Sequence, residues 1–230
     1  MLIEIKKELK NFSSKKQAKV LSSFFKTGKG QYGEGDKFLG IKVPILRKIA
    51  KKYFNCTMKD IKKLLSSKFH EERLLALFLL TYKYKTGDDP AKGKIFNVYL
   101  KNTKFINNWD LVDLSAEHIV GDFLFSRKKD ILFSLAKSKN IWERRIAILA
   151  TFCFIKKGKY KETFKIAKTL LNDRHDLIHK AVGWMLREVG KRCSLKAEES
   201  FLKKYHKKMP RTMLRYTIER FPEKRKQIYM

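Results

Sequence analysis

The sequence predicts an all-α fold, and three observations support this. Apolar residues recur with the 3.6-residue period of a helix along most of the chain, whereas strict two-residue alternation is nearly absent. Each of the four prolines fits the opening turn of a helix or the residue just before one. The segments SKKQ (14–17) and TMKD (57–60) have the pattern of capping-box helix starts.

The predicted helices form a repeating series of pairs. In chain order they span residues 2–12, 14–26, 44–54, 58–66, 69–85, 91–102, 108–124, 127–137, 140–156, 160–171, 175–190, 195–206, 210–220 and 222–228. The second members begin near His70, Asn108, Asn140, His175 and Pro210, at intervals of 38, 32, 35 and 35 residues. Antiparallel helical-pair repeats such as HEAT have periods of about 40 residues. We therefore expect one HEAT-like solenoid domain over residues 1–230, a curved array whose second helices line the concave face.

One segment departs from this pattern. Residues 27–43 hold five of the eleven glycines of the chain, and no strand precedes them, so neither a Walker nor a Rossmann loop is indicated. The simplest interpretation is a long surface loop between helices. The functional alternative is a backbone-rich element that approaches a ligand closely.

The charge balance indicates a polyanionic partner. The chain carries 54 Lys and Arg against 23 Asp and Glu, a formal net charge of +31. Nucleic acid is the obvious partner, because each phosphate neutralised by Lys or Arg releases counterions. A general lysine bias of the source proteome is the alternative explanation for part of the excess.

The remaining composition predicts a soluble, cytoplasmic protein, associated with the nucleoid if the source is prokaryotic. The three cysteines have no metal-type spacing, which favours reduced thiols, and the charged N-terminus does not resemble a signal peptide. The longest apolar run, residues 74–80, is far short of the roughly 20 residues of a membrane span. The five histidines form no convincing metal set, so we expect no metal and no cofactor.

The stretch NNWDLVDL places two carboxylates beside a tryptophan. Asp113 lies four residues after Trp109, so on a helix their side chains share a face. On spacing alone, Asp110, Asp113 and Glu117 are most simply a solvated acidic face, with Trp109 as part of the core.

Two further helices combine cations with aromatic residues. Arg144 and Arg145 lie in the first turn of one helix, where positive charge opposes the helix dipole unless an anion binds there. A local Glu–Arg surface pair is the alternative. Trp184 and Arg187 are three residues apart on another helix and share a face. Here the alternative is a tryptophan at a helix–helix seam with the arginine extended beside it.

These motifs together resemble a known family. NNWDLVD, NIWERRIAILA and HKAVGWMLREVGK, in this order and spacing, closely resemble the AlkD-like DNA-alkylation-repair glycosylases. GEGDKFLGIKVPILRKIAKK and MPRTMLRYTIERF resemble the first and last parts of the same family. The resemblance implies HEAT-like repeats and an enzyme that removes cationic alkylated purines, such as 3-methyladenine and 7-methylguanine, from duplex DNA. It also implies no metal, no cofactor and no base-flipping pocket.

The resemblance carries roles onto matching positions. Asp113 corresponds to the catalytic carboxylate, and Trp109 and Trp184 correspond to aromatic walls of the lesion site. Arg145 and Arg187 correspond to arginines near the lesion and its backbone. Arg144 is an additional arginine, and alignment alone chooses between it and its neighbour. The glycine-rich loop differs in length from the family pattern, so no family contact from that loop is carried over.

We therefore expect a monofunctional DNA glycosylase without lyase activity, a monomer acting on alkylated double-stranded DNA. One alternative is a non-catalytic helical-repeat protein that binds damaged or unusual DNA, which predicts salt-sensitive binding without base release. Another is a protein-binding solenoid, which predicts no DNA retention at physiological salt.

Overall fold

The chain is all-α, as predicted. A computed structural model describes all 230 residues. The helices are α1 (Leu2–Asn11), α2 (Lys15–Phe24), α3 (Val43–Lys52), α4 (Met58–Leu65), α5 (His70–Thr86), α6 (Asp89–Lys101), α7 (Trp109–Asp113), α8 (Asp122–Phe125), α9 (Asp130–Ala136), α10 (Ile141–Lys156), α11 (Lys161–Thr169), α12 (Asp176–Arg192), α13 (Leu195–Tyr205), α14 (Arg211–Thr217) and α15 (Glu223–Lys226). One isolated β-bridge joins Lys37 to Phe69. No helix is long and apolar enough to cross a membrane.

The helices group into two compact units, Met1–Ser115 and Ala116–Met230, called here the N-terminal and C-terminal units. In the N-terminal unit, α3, α4 and α6 pack on α5. In the C-terminal unit, α9, α11 and α12 pack on α10, while α13 and α14 pack on α12. The packing of helices on their sequence neighbours is that of a helical-repeat protein. The expectation of a single domain with a glycine-rich loop stays a prediction.

The helix starts follow from local capping chemistry. Ser14 and Thr57 each accept a hydrogen bond from a backbone N–H three residues later, as the two capping signatures predict. Asn108, Asn140 and His175 cap α7, α10 and α12 with side-chain acceptors for backbone N–H groups. Three of the predicted repeat starts are therefore set by the residue at the repeat boundary.

The helix predicted over residues 108–124 is not continuous, and this prediction is wrong. Helix α7 ends at Asp113, a turn follows, and a π-helical segment spans Glu117–Gly121 before α8. Ser115 explains the break, because its Oγ donates to the carbonyl oxygen of Leu111 at 2.5 Å and lies 2.9 Å from the hydroxyl of Tyr99. Such back-bonding by serine bends a helix. Asp113 is therefore the last residue of a short helix.

Candidate functional site

A cleft of about 590 Å³ opens in the N-terminal unit, called here the Asp113 cleft. Most of its wall is apolar or aromatic, and it is lined by Gln17, Leu21, Phe24, Phe25, Phe38, Ile41, Lys42, Val43, Pro44, Leu46, His70, Glu71, Leu74, Trp109, Asp110, Asp113 and Leu114. The two residues expected to share a helix face, Trp109 and Asp113, both line it. A carboxylate in such surroundings acts through a lower effective dielectric than one in bulk water.

Trp109 is held by neighbouring aromatic rings and by its helix cap. Its ring stacks on Phe25 with centroids 5.2 Å apart, and Phe24 meets it edge-on at 5.9 Å. The backbone N–H of Trp109 donates to the side-chain oxygen of Asn108 at 2.8 Å. Both Trp109 and Asp113 are half-buried, so they are fixed by packing but still reach the surface of the cleft.

Asp110 differs from Asp113 in its environment. It is buried, and its Oδ1 accepts a hydrogen bond from the backbone N–H of Leu111 at 2.8 Å. Its Oδ2 lies 2.8 Å from Nε2 of His70. These contacts give Asp110 a structural role and leave Asp113 as the half-buried carboxylate of α7.

His70 is the centre of a buried charged cluster. Its Nδ1 lies 3.1 Å from Asp36, and Asp36 is also bound by Arg73 at 2.6 Å and by the Asn108 amide at 3.3 Å. Burial alone would lower the pKa of His70, but the charge and hydrogen bond of Asp110 and the hydrogen bond to Asp36 raise it to about 9.

The same cluster holds Asp36 ionised. Burial would raise the pKa of the Asp36 carboxyl, but the hydrogen bond from His70 and the charge of Arg73 outweigh burial and lower it. The cluster therefore contains ionised partners at neutral pH.

The glycine-rich segment is not only a surface loop, because its second half forms a wall of the cleft. Glu71, buried in the first turn of α5, accepts backbone N–H hydrogen bonds from Leu39, Gly40 and Ile41 at 2.9, 2.8 and 3.2 Å. Gly40 has φ +83°, and a Cβ there would collide with the backbone of Ser14. Phe38, Ile41 and Val43 from this segment line the cleft.

Trp184 lies in the C-terminal unit, on α12, beside a second aromatic residue. Its ring centroid is 5.8 Å from that of Phe152 on α10. The Phe152 ring lies under the Lys156 ammonium at 4.4 Å and the Arg192 guanidinium at 5.3 Å. The unit therefore presents aromatic rings among cations, an arrangement that suits contact with a polyanion.

The three predicted arginines are also in the C-terminal unit and have protein partners. Arg145 is 5% exposed and donates to the carbonyl oxygen of Leu177. Arg144 pairs with Asp173 at 2.6 Å and donates to backbone carbonyl groups. Arg187 pairs with Glu219, its Nε is buried without a hydrogen-bond partner, and burial lowers its pKa.

Sequence reasoning missed the buried cluster around His70. The contact of His70 with Asp36 joins positions 34 residues apart in the chain, so no local pattern predicts it. The available signal was the charged stretch HEER (70–73) at a predicted repeat start. No group of three or more His, Cys, Asp or Glu side chains converges where a metal ion could bind.

The fold places the chain among helical-repeat proteins, and the comparisons identify its family. The sequence model of the family described as DNA alkylation repair enzyme matches residues 5–221, so the chain belongs to this family. Membership supports a role in DNA repair. A solved structure of a protein described as a predicted DNA alkylation repair enzyme from Enterococcus faecalis is similar in fold, with a TM-score of 0.70 and 16% identity, over 92% of this chain and 97% of that chain. No curated protein matches significantly.

Proposed function

We propose that the protein is a monofunctional DNA glycosylase that hydrolyses the N-glycosidic bond of cationic alkylated purines in duplex DNA. The substrates we propose are 3-methyladenine and 7-methylguanine. The observation that carries the proposal is the half-buried Asp113 beside Trp109 in an aromatic cleft, within a chain of the DNA alkylation repair family.

The chemistry needs a carboxylate but no general acid. An N-alkylated purine already carries a positive charge, so it can leave without being protonated. Cleavage of the glycosidic bond develops oxocarbenium character on the deoxyribose, and a nearby carboxylate stabilises that cation. For charges ~4 Å apart the attraction is about 1 kcal/mol in bulk water and about 4 kcal/mol at an effective dielectric of 20. Asp113 would supply this stabilisation and hold the attacking water.

Trp109 would contribute at the Asp113 cleft, because the electron-rich face of its ring attracts a cation and excludes water. The resemblance assigns Trp184 to the lesion site as well, and we propose the same chemistry for its ring. Trp109 suits this role because Phe25 and Phe24 fix its ring at the cleft.

The polar groups of the Asp113 cleft support a reaction without a base-reading pocket. Enzymes that flip a base recognise it by hydrogen bonds to its Watson–Crick edge. Here the polar atoms of His70, Glu71 and Asp110 are already hydrogen-bonded inside the protein. The buried polar groups of the cleft would therefore not read a base, although Gln17 and Lys42 also line it.

Arg187 is the arginine whose surroundings best support a phosphate contact. The Arg187 side chain is 16% exposed and that of its partner Glu219 is 60% exposed, so a phosphate would have to replace only a solvent-facing carboxylate. Arg144 and Arg145 would have to leave Asp173 and the Leu177 carbonyl group to reach DNA. We propose that Arg144 and Arg145 act mainly by holding α10 against Asp173 and α12, the helix that carries Arg187.

The decisive experiment measures base release from a duplex that contains a single 7-methylguanine. Wild-type protein should release the free base and leave an abasic strand that breaks only after alkali treatment. Asp113→Asn should slow release by roughly 5- to 1,000-fold, the range given by about 1 to 4 kcal/mol of lost electrostatic stabilisation. Asp122→Asn, which removes a carboxylate that is paired with Lys157 and 38% exposed, is the matched control.

Two outcomes would contradict the proposal. Equal rates of base release by wild type and Asp113→Asn would show that Asp113 is not a catalytic residue. Salt-sensitive binding of methylated DNA without any base release would instead support a non-catalytic DNA-binding protein.

A further inference from the structure

Three elements of the N-terminal unit meet at one buried histidine. His70 begins α5 and is 1% exposed. Its Nδ1 contacts Asp36 in the middle of the glycine-rich segment, and its Nε2 contacts Asp110 on α7, at 3.1 and 2.8 Å. Both ring nitrogens are therefore used, one on each neighbouring element.

A second connection runs parallel to the first. The Asn108 amide nitrogen donates to Asp36 at 3.3 Å, while its side-chain oxygen accepts the N–H of Trp109 at 2.8 Å. Asp36 thus receives hydrogen bonds from both α5 and the cap of α7. The first turn of α7 is tied to the glycine-rich segment through two separate routes.

Helix α7 needs external support of this kind. It is five residues long and is followed by a turn, so its own hydrogen bonds hold it weakly. Trp109 and Asp113 are its first and last residues. A small rotation of α7 would therefore move both away from the cleft.

We propose that His70 is a positioning residue that joins Asp36 to Asp110 and thereby orients Trp109 and Asp113 toward the cleft. The kinetic consequence rests on the proposed glycosylase function, whereas the orientation of Trp109 does not. The same contacts hold the segment that contributes Phe38, Ile41 and Val43 to the wall of the cleft. The hydrogen bonds from Leu39, Gly40 and Ile41 to Glu71 also fix this segment to α5.

The test combines a spectroscopic and a kinetic measurement on His70→Gln. The chain has three tryptophans, so incorporation of 5-fluorotryptophan gives three ¹⁹F resonances, and Trp109→Phe assigns one of them. In His70→Gln the Trp109 resonance should shift or broaden, while Trp142 and Trp184 in the C-terminal unit keep their resonances. The value of kcat should fall by about 10- to 100-fold with KM for DNA within about twofold, because small misplacement of a reacting group is costly.

Glu72→Gln is the matched control, since Glu72 is a buried acid of the same helix turn that pairs with Lys6, 3.0 Å away, outside this cluster. It should leave the Trp109 resonance and kcat unchanged even if it lowers the melting temperature. Asp110→Asn is the second variant, and it should reproduce the His70→Gln effects if His70→Gln does not fold.

The outcomes separate this inference from the proposed function. An unchanged Trp109 resonance in a folded His70→Gln or Asp110→Asn protein would overturn the positioning role. A wild-type protein without base release would overturn the proposed function, and the fluorine spectra would still decide the inference. If Glu72→Gln lowered kcat as much as His70→Gln does, the loss of kcat in His70→Gln would reflect only general stability.

Discussion

Replacing Glu198 with glutamine should raise the free energy of unfolding at pH 8. Glu198 is 2% exposed on α13, and its Oε1 has no hydrogen-bond partner. Burial, and then the like charge of Glu199, raise its pKa from 4.5 to about 8, against the opposing charge of Arg187. Each tenfold difference in proton affinity is worth about 1.4 kcal/mol, so ionised Glu198 destabilises the fold by at most about 5 kcal/mol.

The direction of the pH dependence follows from the protonation of Glu198 in the folded and unfolded states. An unfolded Glu198 ionises near pH 4.5, whereas the folded one stays protonated until about pH 8. The unfolded state therefore binds fewer protons in this window, and the free energy of unfolding falls as pH rises. Glutamine has a similar shape and does not titrate. The gain from Glu198→Gln should be near zero at pH 4.5 and roughly 2 to 5 kcal/mol at pH 8.

Urea unfolding of wild type and Glu198→Gln at pH 5 and pH 8 measures this difference. Glu223→Gln, at a side chain that is 76% exposed, is the control and should change stability at neither pH. An equal difference between wild type and Glu198→Gln at the two pH values would refute the reasoning, because it would show that Glu198 titrates alike in both states.

Three further predictions follow from buried contacts. The pKa of His70 is about 9 in the folded state against 6.5 in the unfolded state, so its stabilisation is complete below pH 6.5 and is lost as pH rises through 9. In urea unfolding, the difference in stability between wild type and His70→Gln should shrink by about 3 kcal/mol between pH 6.5 and 9.5. A constant difference would contradict this prediction. Gly121→Ala should lower stability by about 1 to 3 kcal/mol in thermal unfolding, because its Cβ would collide with the Ala150 carbonyl oxygen. Arg187→Gln should reduce the slope of log affinity against log salt by about 0.9 in DNA titrations, whereas the buried Arg145→Gln should lower the melting temperature and leave that slope unchanged.

Local signals in the sequence were enough to predict the helices and their order. Ser14, Thr57 and Asn140 cap helices through contacts with residues two or three positions away, and such contacts are visible in sequence patterns. The break after Asp113 was not predictable in this way, because it depends on Ser115 meeting Tyr99 from another helix.

In the candidate site, too, features set by local spacing could be predicted and features set by distant residues could not. The shared position of Trp109 and Asp113 follows from spacing within one helix, so it could be predicted. The separate environment of Asp110 could not, because it is created by His70, which lies 40 residues earlier. Burial of Arg145 also escaped prediction, since α10 is apolar on nearly all sides and its sequence does not mark one inner face.

The charges of the His70 cluster allow its proposed positioning role to be separated from an electrostatic effect on Asp113. Two cations, His70 and Arg73, face two carboxylates, Asp36 and Asp110, so the cluster is neutral when all four are ionised. His70→Gln removes one positive charge as well as one bridge, and its effect could arise from either loss. The double variant His70→Gln/Asp110→Asn restores neutrality but not the bridge. If position matters, the double variant should be as slow in base release as His70→Gln; if charge balance matters, it should recover toward the wild-type rate. Recovery would show that the cluster acts on Asp113 through its field, and would replace the mechanical role of His70 with an electrostatic one.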